Sequence, residues 1–332
     1  MDHSLKFLPK CSRDLQFLYC RPIGVEIEIN SFDGFSATPQ NKSPAGIHYV
    51  ANLIAETLGE YVEVRDWGST HWYRTYGHWV LKPDNSCGIE VCSPVTQGWY
   101  GLRKICRIIE VFQNHKLIMA NTNCSLHVHI DVSDLLENQI VNILKWWIKC
   151  EPVFFDSVSR IRKNNRYCQF IGMWDWMKGN ITDKELIKSL SINKYGSVNS
   201  YYLCSGERNT IEFRIGENIF CKNALFAKNW IRLLIHFLET VQNLTAFNLY
   251  WLDVKDVFEV LGFISNDLSP AMIQIRDWFL ARLHCNSQAG LLNRDVTKKQ
   301  VDELITMLAV DVNNALYPED YKDYLYGKFY ST

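Results

Sequence analysis

Four short segments alternate apolar residues with residue types that bind cations or phosphates: Val25-Glu26-Ile27-Glu28-Ile29, Gly88-Ile89-Glu90-Val91, Leu126-His127-Val128-His129-Ile130-Asp131 and Ile211-Glu212-Phe213-Arg214-Ile215. A β-strand sends successive side chains to opposite faces. The Val, Ile, Leu and Phe residues then pack on a core, and Glu26, Glu28, Glu90, His127, His129, Asp131, Glu212 and Arg214 project from the other side. An ordinary solvated strand face carries Thr, Ser and Lys. Carboxylates and imidazoles, with an arginine at the end, line a site for a polyanion held by a divalent metal. One such strand is common; the recurrence in four segments carries the reading.

Each group has its own chemistry and its own bland alternative. Glu26 and Glu28 stand about 6.6 to 6.8 Å apart along one strand face, a spacing suited to magnesium bridging carboxylates to phosphates. A solvated edge strand is the alternative. Glu90 follows Lys82 and Asp84 across a turn (Lys82-Pro83-Asp84-Asn85-Ser86-Cys87-Gly88-Ile89-Glu90), so the three are able to meet at one end of a pocket. His127 and His129 form an HxH pair on one strand face, suited to a metal, a phosphate or a substrate. Glu212 and Arg214 join a carboxylate to a planar cation that fits phosphate or carboxylate oxygens, or form a simple cross-strand ion pair. The basic run Arg160-Ile161-Arg162-Lys163-Asn164-Asn165-Arg166 suits phosphate or a solvated loop. Tyr167, Trp174 and Trp176 line a pocket or sit in a core.

The elements that must position these groups read as follows. Strands are expected over 22–30, 60–65, 78–83, within 84–96 up to Pro94, and over 125–132. Residues 197–215 suggest a hairpin turning at 205–209. Helical spacing marks 47–58, stopped by Gly59, then 99–118, 137–159 with Pro152 as a bend, and a short 183–190. Residues 31–45 and 160–180 read as irregular. After residue 221 the pattern is helical over 222–245, 253–262, 270–285 and 296–309. Strands in the first two thirds and helices in the last third make an α+β pattern, with helices backing a largely antiparallel sheet. The expected organisation is a lead-in over 1–20, a catalytic domain over 21–290, and a helical C-terminal extension over 291–332 packed on it.

Bulk properties narrow the classes. The chain has 332 residues, 47% hydrophobic and 21% charged, with formal net charge -1, so no global basic field draws it to nucleic acid. The N-terminal MDHSLKFLPKC has no apolar signal-peptide core, and no apolar run is long enough for a membrane span. Eleven Cys without paired CxxC knuckles read as thiols in a reducing compartment, and the expected location is cytoplasmic. Cys92 and Cys124 stand out because they flank the charged strands.

The motifs G-x-E-x-E (Gly24 to Glu28), K-x-D-x-S…G-x-E-x-x-S-P (Lys82 to Pro94), H-x-H-x-D (His127 to Asp131) and T-I-E-F-R (Thr210 to Arg214) together resemble the putative amidoligase family, over roughly residues 20–290. That family is similar to glutamine synthetase and glutamate–cysteine ligase. The resemblance implies a curved antiparallel sheet of glutamine synthetase-like type, with helices outside and a concave face holding ATP and Mg2+, or Mn2+. It implies an ATP-dependent carboxylate–amine ligase that forms an amide through an acyl phosphate, acting on small-molecule or peptide carboxylates and amines. By resemblance Glu26, Glu28, Glu90, His127 and Glu212 are metal ligands. Lys82, Glu90, His127, Arg166 and Arg214 contact the nucleotide, and Arg214, Arg166, His129 and Asp84 serve the reaction. One departure is visible: Cys124-Ser125-Leu126 stands where the family pattern has Cys-Gly. Two other readings stay open on the residues alone. One is a metal-dependent hydrolase built on His127, His129 and Asp131; the other is a non-catalytic nucleotide-binding protein on the same scaffold.

Overall fold

The protein is described by a computed structural model over residues 21–33, 44–66, 77–163, 165–171, 182–192, 195–206, 208–246, 249–289 and 295–317. The lead-in expected over 1–20, Trp174 and Trp176, and the last fifteen or so positions of the expected C-terminal extension lie outside the described residues.

Among the described residues the chain forms one seven-stranded sheet. Its strands are β1 (Ile23–Asn30), β2 (Val62–Val64), β3 (Trp79–Asp84), β4 (Gly88–Cys92), β5 (Leu126–Asp131), β6 (Val198–Asn199) and β7 (Thr210–Gly216). The spatial order is β2-β3-β4-β1-β5-β7-β6. The β2–β3 pair is parallel and the other pairs are antiparallel. This is the expected α+β, largely antiparallel arrangement.

Register turns the sequence motifs into a site. Glu28 stands opposite Glu90, and Lys82 opposite Glu90. Glu26 pairs with His127, and His129 with Glu212, which in turn faces Asn199. Donors from six strands therefore share one face. The β5–β7 register shifts between Leu126 and Val128, close to Arg214. At the far side of that shift a Cβ on Gly216 would come 2.2 Å from the Leu126 carbonyl oxygen, so the strands approach there only because the residue is glycine.

The helices are α1 (Ile47–Leu58), α2 (Gly98–Asn114), α3 (Glu137–Asp156), α4 (Arg160–Lys163), α5 (Asp183–Ile192), α6 (Tyr201–Ser205), α7 (Ala224–Val241), α8 (Val254–Val260), α9 (Pro270–Gln288), α10 (Asp295–Leu308) and α11 (Val312–Leu316). The apolar stripe of α2 (Leu102, Ile105, Ile108, Ile109, Phe112) is fully buried, as its spacing requires. Gly59 ends α1 with φ +65°, its N–H bonded to the Ala55 carbonyl. Pro152 lies inside α3 without ending it.

The core lies on the sheet face opposite the donors. Ile27, Val91, Leu126, Val128, Phe213 and Ile215 belong to it, with the buried faces of α2, α3 and α7. Trp147 of α3 packs 4.8 Å from Phe213 and 5.6 Å from Phe237, joining sheet, α3 and α7 through aromatic edges. Helices α10 and α11 pack on α9, and α10 also on α8. No helix among the described residues is long and apolar enough to cross a membrane.

Two expectations need correction. The 197–215 segment is not a plain hairpin: β6 and β7 pair, but α6 is inserted between them. Residues 160–163, expected to be irregular, make the short helix α4. A further short helix, α11, had no expected counterpart.

Candidate active site

The charged sheet face floors a cavity of about 420 Å³. Glu26, Glu28, Lys82, Asp84, Glu90, His127, Glu212 and Arg214 line it, so residues up to about 190 positions apart converge on one basin. The walls are Asn85, Ser86, Asn123, Ser125, Arg162, Tyr167, Tyr195, Asn199, Tyr201, Tyr202 and Arg208. Helix α6 contributes Tyr201 and Tyr202, which explains its insertion between the last two strands. The face is deeply buried: Glu212 is 2% exposed, His127 3% and Glu28 5%. Burying so many ionisable groups is costly unless they pair with one another or with a bound ion.

The pairing is dense. Lys82 Nζ lies 2.7 Å from Glu90 Oε1. Arg214 pairs with Glu212 and donates through Nε to the Tyr167 carbonyl at 3.3 Å. Asn199 donates to Glu212 Oε2 at 2.8 Å. His127 Nδ1 is 3.1 Å from Glu26 Oε2, and its Nε2 is 2.7 Å from Ser125 Oγ. Ser125 Oγ donates to Glu28 Oε2 at 2.7 Å. The serine that departs from the family pattern thus joins a carboxylate to an imidazole, a contact that glycine has no atoms to make.

His129, an expected site residue, lies outside the cavity lining. It is 5% exposed, with Nε2 3.2 Å from Glu26 Oε1, yet neither ring nitrogen makes a hydrogen bond. One ligand atom each from Glu26, His129 and Glu212 lies within 4.8 Å of the other two. Glu26, Glu90 and Cys92 form a second such group, and Glu28, Asp84 and Cys87 a third. A buried imidazole between two carboxylates, ion-paired with Glu26 and making no hydrogen bond through Nδ1, fits a divalent cation.

Charge states follow the surroundings. Burial raises Glu28 well above the usual carboxylate range, and the Asp84 charge adds to this. Burial likewise lifts Glu90 to about 7, with Glu26 adding to it and Lys82 opposing it. For Glu26 burial acts upward, but His129 and His127 outweigh it and hold the carboxyl well below its ordinary value. Glu212 is lowered in the same way, Arg214 overcoming burial. Burial lowers His127, reinforced by Arg214, whereas in His129 the Glu26 and Glu212 charges outweigh burial and raise it. Two neighbouring carboxyls held proton-prone by burial are what a cation would discharge.

Not every expected site residue reaches the basin. Arg166 is exposed, outside the cavity lining, and donates to the Tyr167 hydroxyl at 2.6 Å. Arg162, four residues earlier in the same basic run, lines the cavity instead. It is 2% exposed, donates to the Arg214 carbonyl at 2.8 Å, and leaves its Nε without a hydrogen-bond partner. Asp131 lies outside the lining, accepting from Ser133 Oγ at 2.6 Å. Asp84 lines the cavity and also shapes the β3–β4 turn, accepting from the Ser86 and Cys87 N–H groups at 2.7 and 3.2 Å. Sequence reasoning missed Ser125, Asn199, Tyr202 and Arg208. Only Ser125 left a signal, as the break in a familiar motif.

The family model described as putative amidoligase enzyme matches residues 21–210, more than half of the chain. The chain belongs to the putative amidoligase family. The matched span of this amidoligase runs from the start of β1 to the start of β7 and so covers most of the donor strands. No curated protein matches the chain. Among solved structures, the crystal structure of a bifunctional glutathione synthetase from Pasteurella multocida is similar over 95% of this chain and 53% of its own, with 12% identity and a TM-score of 0.40. The chain therefore spans about half the length of that protein.

Proposed function

We propose that this amidoligase joins a carboxylate to an amine at the expense of ATP, through an acyl phosphate, on a sheet face of glutamine synthetase-like type. The observation that carries this reading is the convergence of Glu26, Glu28, Glu90, Glu212, His127 and three arginines on one buried basin, with His129 grouped beside Glu26 and Glu212. A carboxylate oxygen attacks the terminal phosphorus of ATP and ADP leaves. The amine nitrogen then attacks the acyl carbon, phosphate leaves, and the nitrogen gives up a proton. Phosphoryl transfer asks the protein for positioning and charge compensation more than covalent help.

Glu26, Glu28, Glu90 and Glu212 are the oxygen donors for Mg2+ or Mn2+, with His129 as the nitrogen donor. His127 lines the basin but has both nitrogens engaged with Ser125 and Glu26, whereas His129, ion-paired through Nε2 with Glu26, keeps Nδ1 without a hydrogen bond, and this favours His129 for the metal. Magnesium, when bound, neutralises phosphate oxygens. Arg214, fixed by Glu212, and Arg162, whose Nε is unspent, face the anionic groups. Arg162 takes the place first expected for Arg166. Lys82 compensates Glu90, and Asp84 holds the β3–β4 turn against the basin. Carboxylate and amine substrates are small molecules or peptides. The hydrolase reading needs Asp131 beside the histidines, and Asp131 lies outside the lining.

The test is phosphate release from Mg·ATP in the presence of a panel of carboxylates and amines. Glu26→Ala and Glu212→Ala are expected to abolish it with the melting transition retained. Full turnover in either variant removes the metal-site assignment.

A further inference from the structure

Arg162 reaches the basin from a connection that α9 holds in place. Residues 157–159 join α3 to α4. The last carbonyls of a helix have no partner within it. Here one face of α9 supplies partners for them. Asn286 Nδ2 donates to the Asp156 carbonyl at 2.8 Å and to the Val158 carbonyl at 3.1 Å. Arg282, four residues earlier on the same face of α9, donates through Nε to the Ser157 carbonyl at 3.2 Å. Asn286 is 7% exposed and the Arg282 side chain 12%, so water competes little for these bonds.

A third group ties the same connection to the sheet. Glu217 directly follows β7 and is buried. One of its oxygens pairs with Arg282, and the other accepts from the Ser159 N–H at 2.9 Å. The Ser159 carbonyl then accepts from the Arg162 N–H at 3.0 Å. The Arg162 guanidinium returns to β7 through its 2.8 Å bond to the Arg214 carbonyl, while its Nε makes no hydrogen bond. The contacts therefore close on themselves, from α9 through residues 156–159 to Arg162, Arg214, Glu217 and back to α9. A cap for α3 needs carbonyl partners only. The bond to the Ser159 N–H adds control over the direction in which α4 departs.

We propose that Arg282, Asn286 and Glu217 are positioning residues that hold Arg162 at the basin. The inference rests on the charge-compensating role given to Arg162 above and adds what keeps it there. All three residues lie beyond positions 21–210, the span that the family model matches. A misplacement of about 1 Å at a reacting centre costs up to about a hundredfold in rate.

A double-mutant cycle with Arg162 tests this. Asn286→Ala is expected to lower phosphate release from Mg·ATP by about tenfold to a hundredfold. In the Arg162→Gln protein the same substitution is expected to lower it by less than about twofold, because the group it acts through is already gone. Equal losses in both backgrounds, or no loss in either, overturn the inference, since a merely structural role costs the same with or without the guanidinium. If Asn286→Ala melts early, Arg282→Lys, which keeps a charge beside Glu217, replaces it in the cycle under the same criteria. Crystal structures of the wild type and the variant without nucleotide separate this inference from the ligase reading. Loss of the Arg162 bond to the Arg214 carbonyl in the variant supports positioning whether or not the protein turns over, and an unmoved Arg162 overturns it. Absence of phosphate release from the wild type across the substrate panel sinks the ligase reading alone.

Discussion

At the scale of single residues, the site divides into groups already paired and groups with unspent capacity. Lys82 and Glu90 satisfy each other, as do Arg214 and Glu212. Arg162 Nε and His129 Nδ1 are buried and make no hydrogen bond. Unspent buried polar capacity is where a ligand gains most, because the desolvation of the group has already occurred. Arg162→Gln is therefore expected to lower phosphate release by about 10²- to 10³-fold, the scale of a lost charge-stabilising donor, with little change in melting temperature. Arg166→Gln, altering an exposed group outside the basin, is expected to leave turnover near wild type. Equal losses in both variants, measured by steady-state phosphate release, would contradict the assignment to Arg162. Ser125→Gly is expected to uncouple Glu28 from His127 and reduce turnover less than Glu212→Ala does, because it removes a bridge and leaves the carboxylates in place.

At the scale of elements, the β3–β4 hairpin and β1 must be held tightly for Glu28, Glu90 and Asp84 to meet. Gly88 does this by conformation: its φ is +116°, and a Cβ there would lie 2.6 Å from the Ser31 backbone nitrogen at the end of β1. Both the dihedral and the close approach exclude a side chain. Gly88→Ala is expected to cost roughly 1–3 kcal/mol by chemical denaturation and to weaken metal binding as the hairpin moves away from β1. Unchanged stability would mean that the hairpin accommodates the methyl group by a small shift. Helix α6 shows how the chain spends a connection on function: five residues between paired strands place Tyr201 and Tyr202 on the cavity wall.

At the scale of the whole molecule, α7 runs through the core behind the sheet, and His236 lies within it at 4% exposure. Its Nε2 is 2.8 Å from the Leu261 carbonyl and its ring stacks on Phe263. Burial lowers its pKa from 6.5 to about 4. The unfolded chain takes the proton first, so this contribution is complete above pH 6.5 and is lost as pH falls from 6.5 toward 4, roughly 3 kcal/mol in all. His236→Gln is expected to flatten the fall in urea midpoint between pH 7 and pH 4.5; parallel curves for variant and wild type would refute the assignment. What the sequence by itself determined was local. Period-two alternation in β1, β4, β5 and β7 marked which residues share a strand face, and helical spacing marked α1, α2, α3, α7, α8, α9 and α10 closely. What only the tertiary structure decided was which donors meet. Register brings Glu26 to His127 and His129 to Glu212, the short helix α4 puts Arg162 rather than Arg166 on the cavity, and α6 brings in its tyrosines. The reason is that alternation depends on a residue's immediate neighbours alone, whereas register depends on packing between segments that lie tens of residues apart.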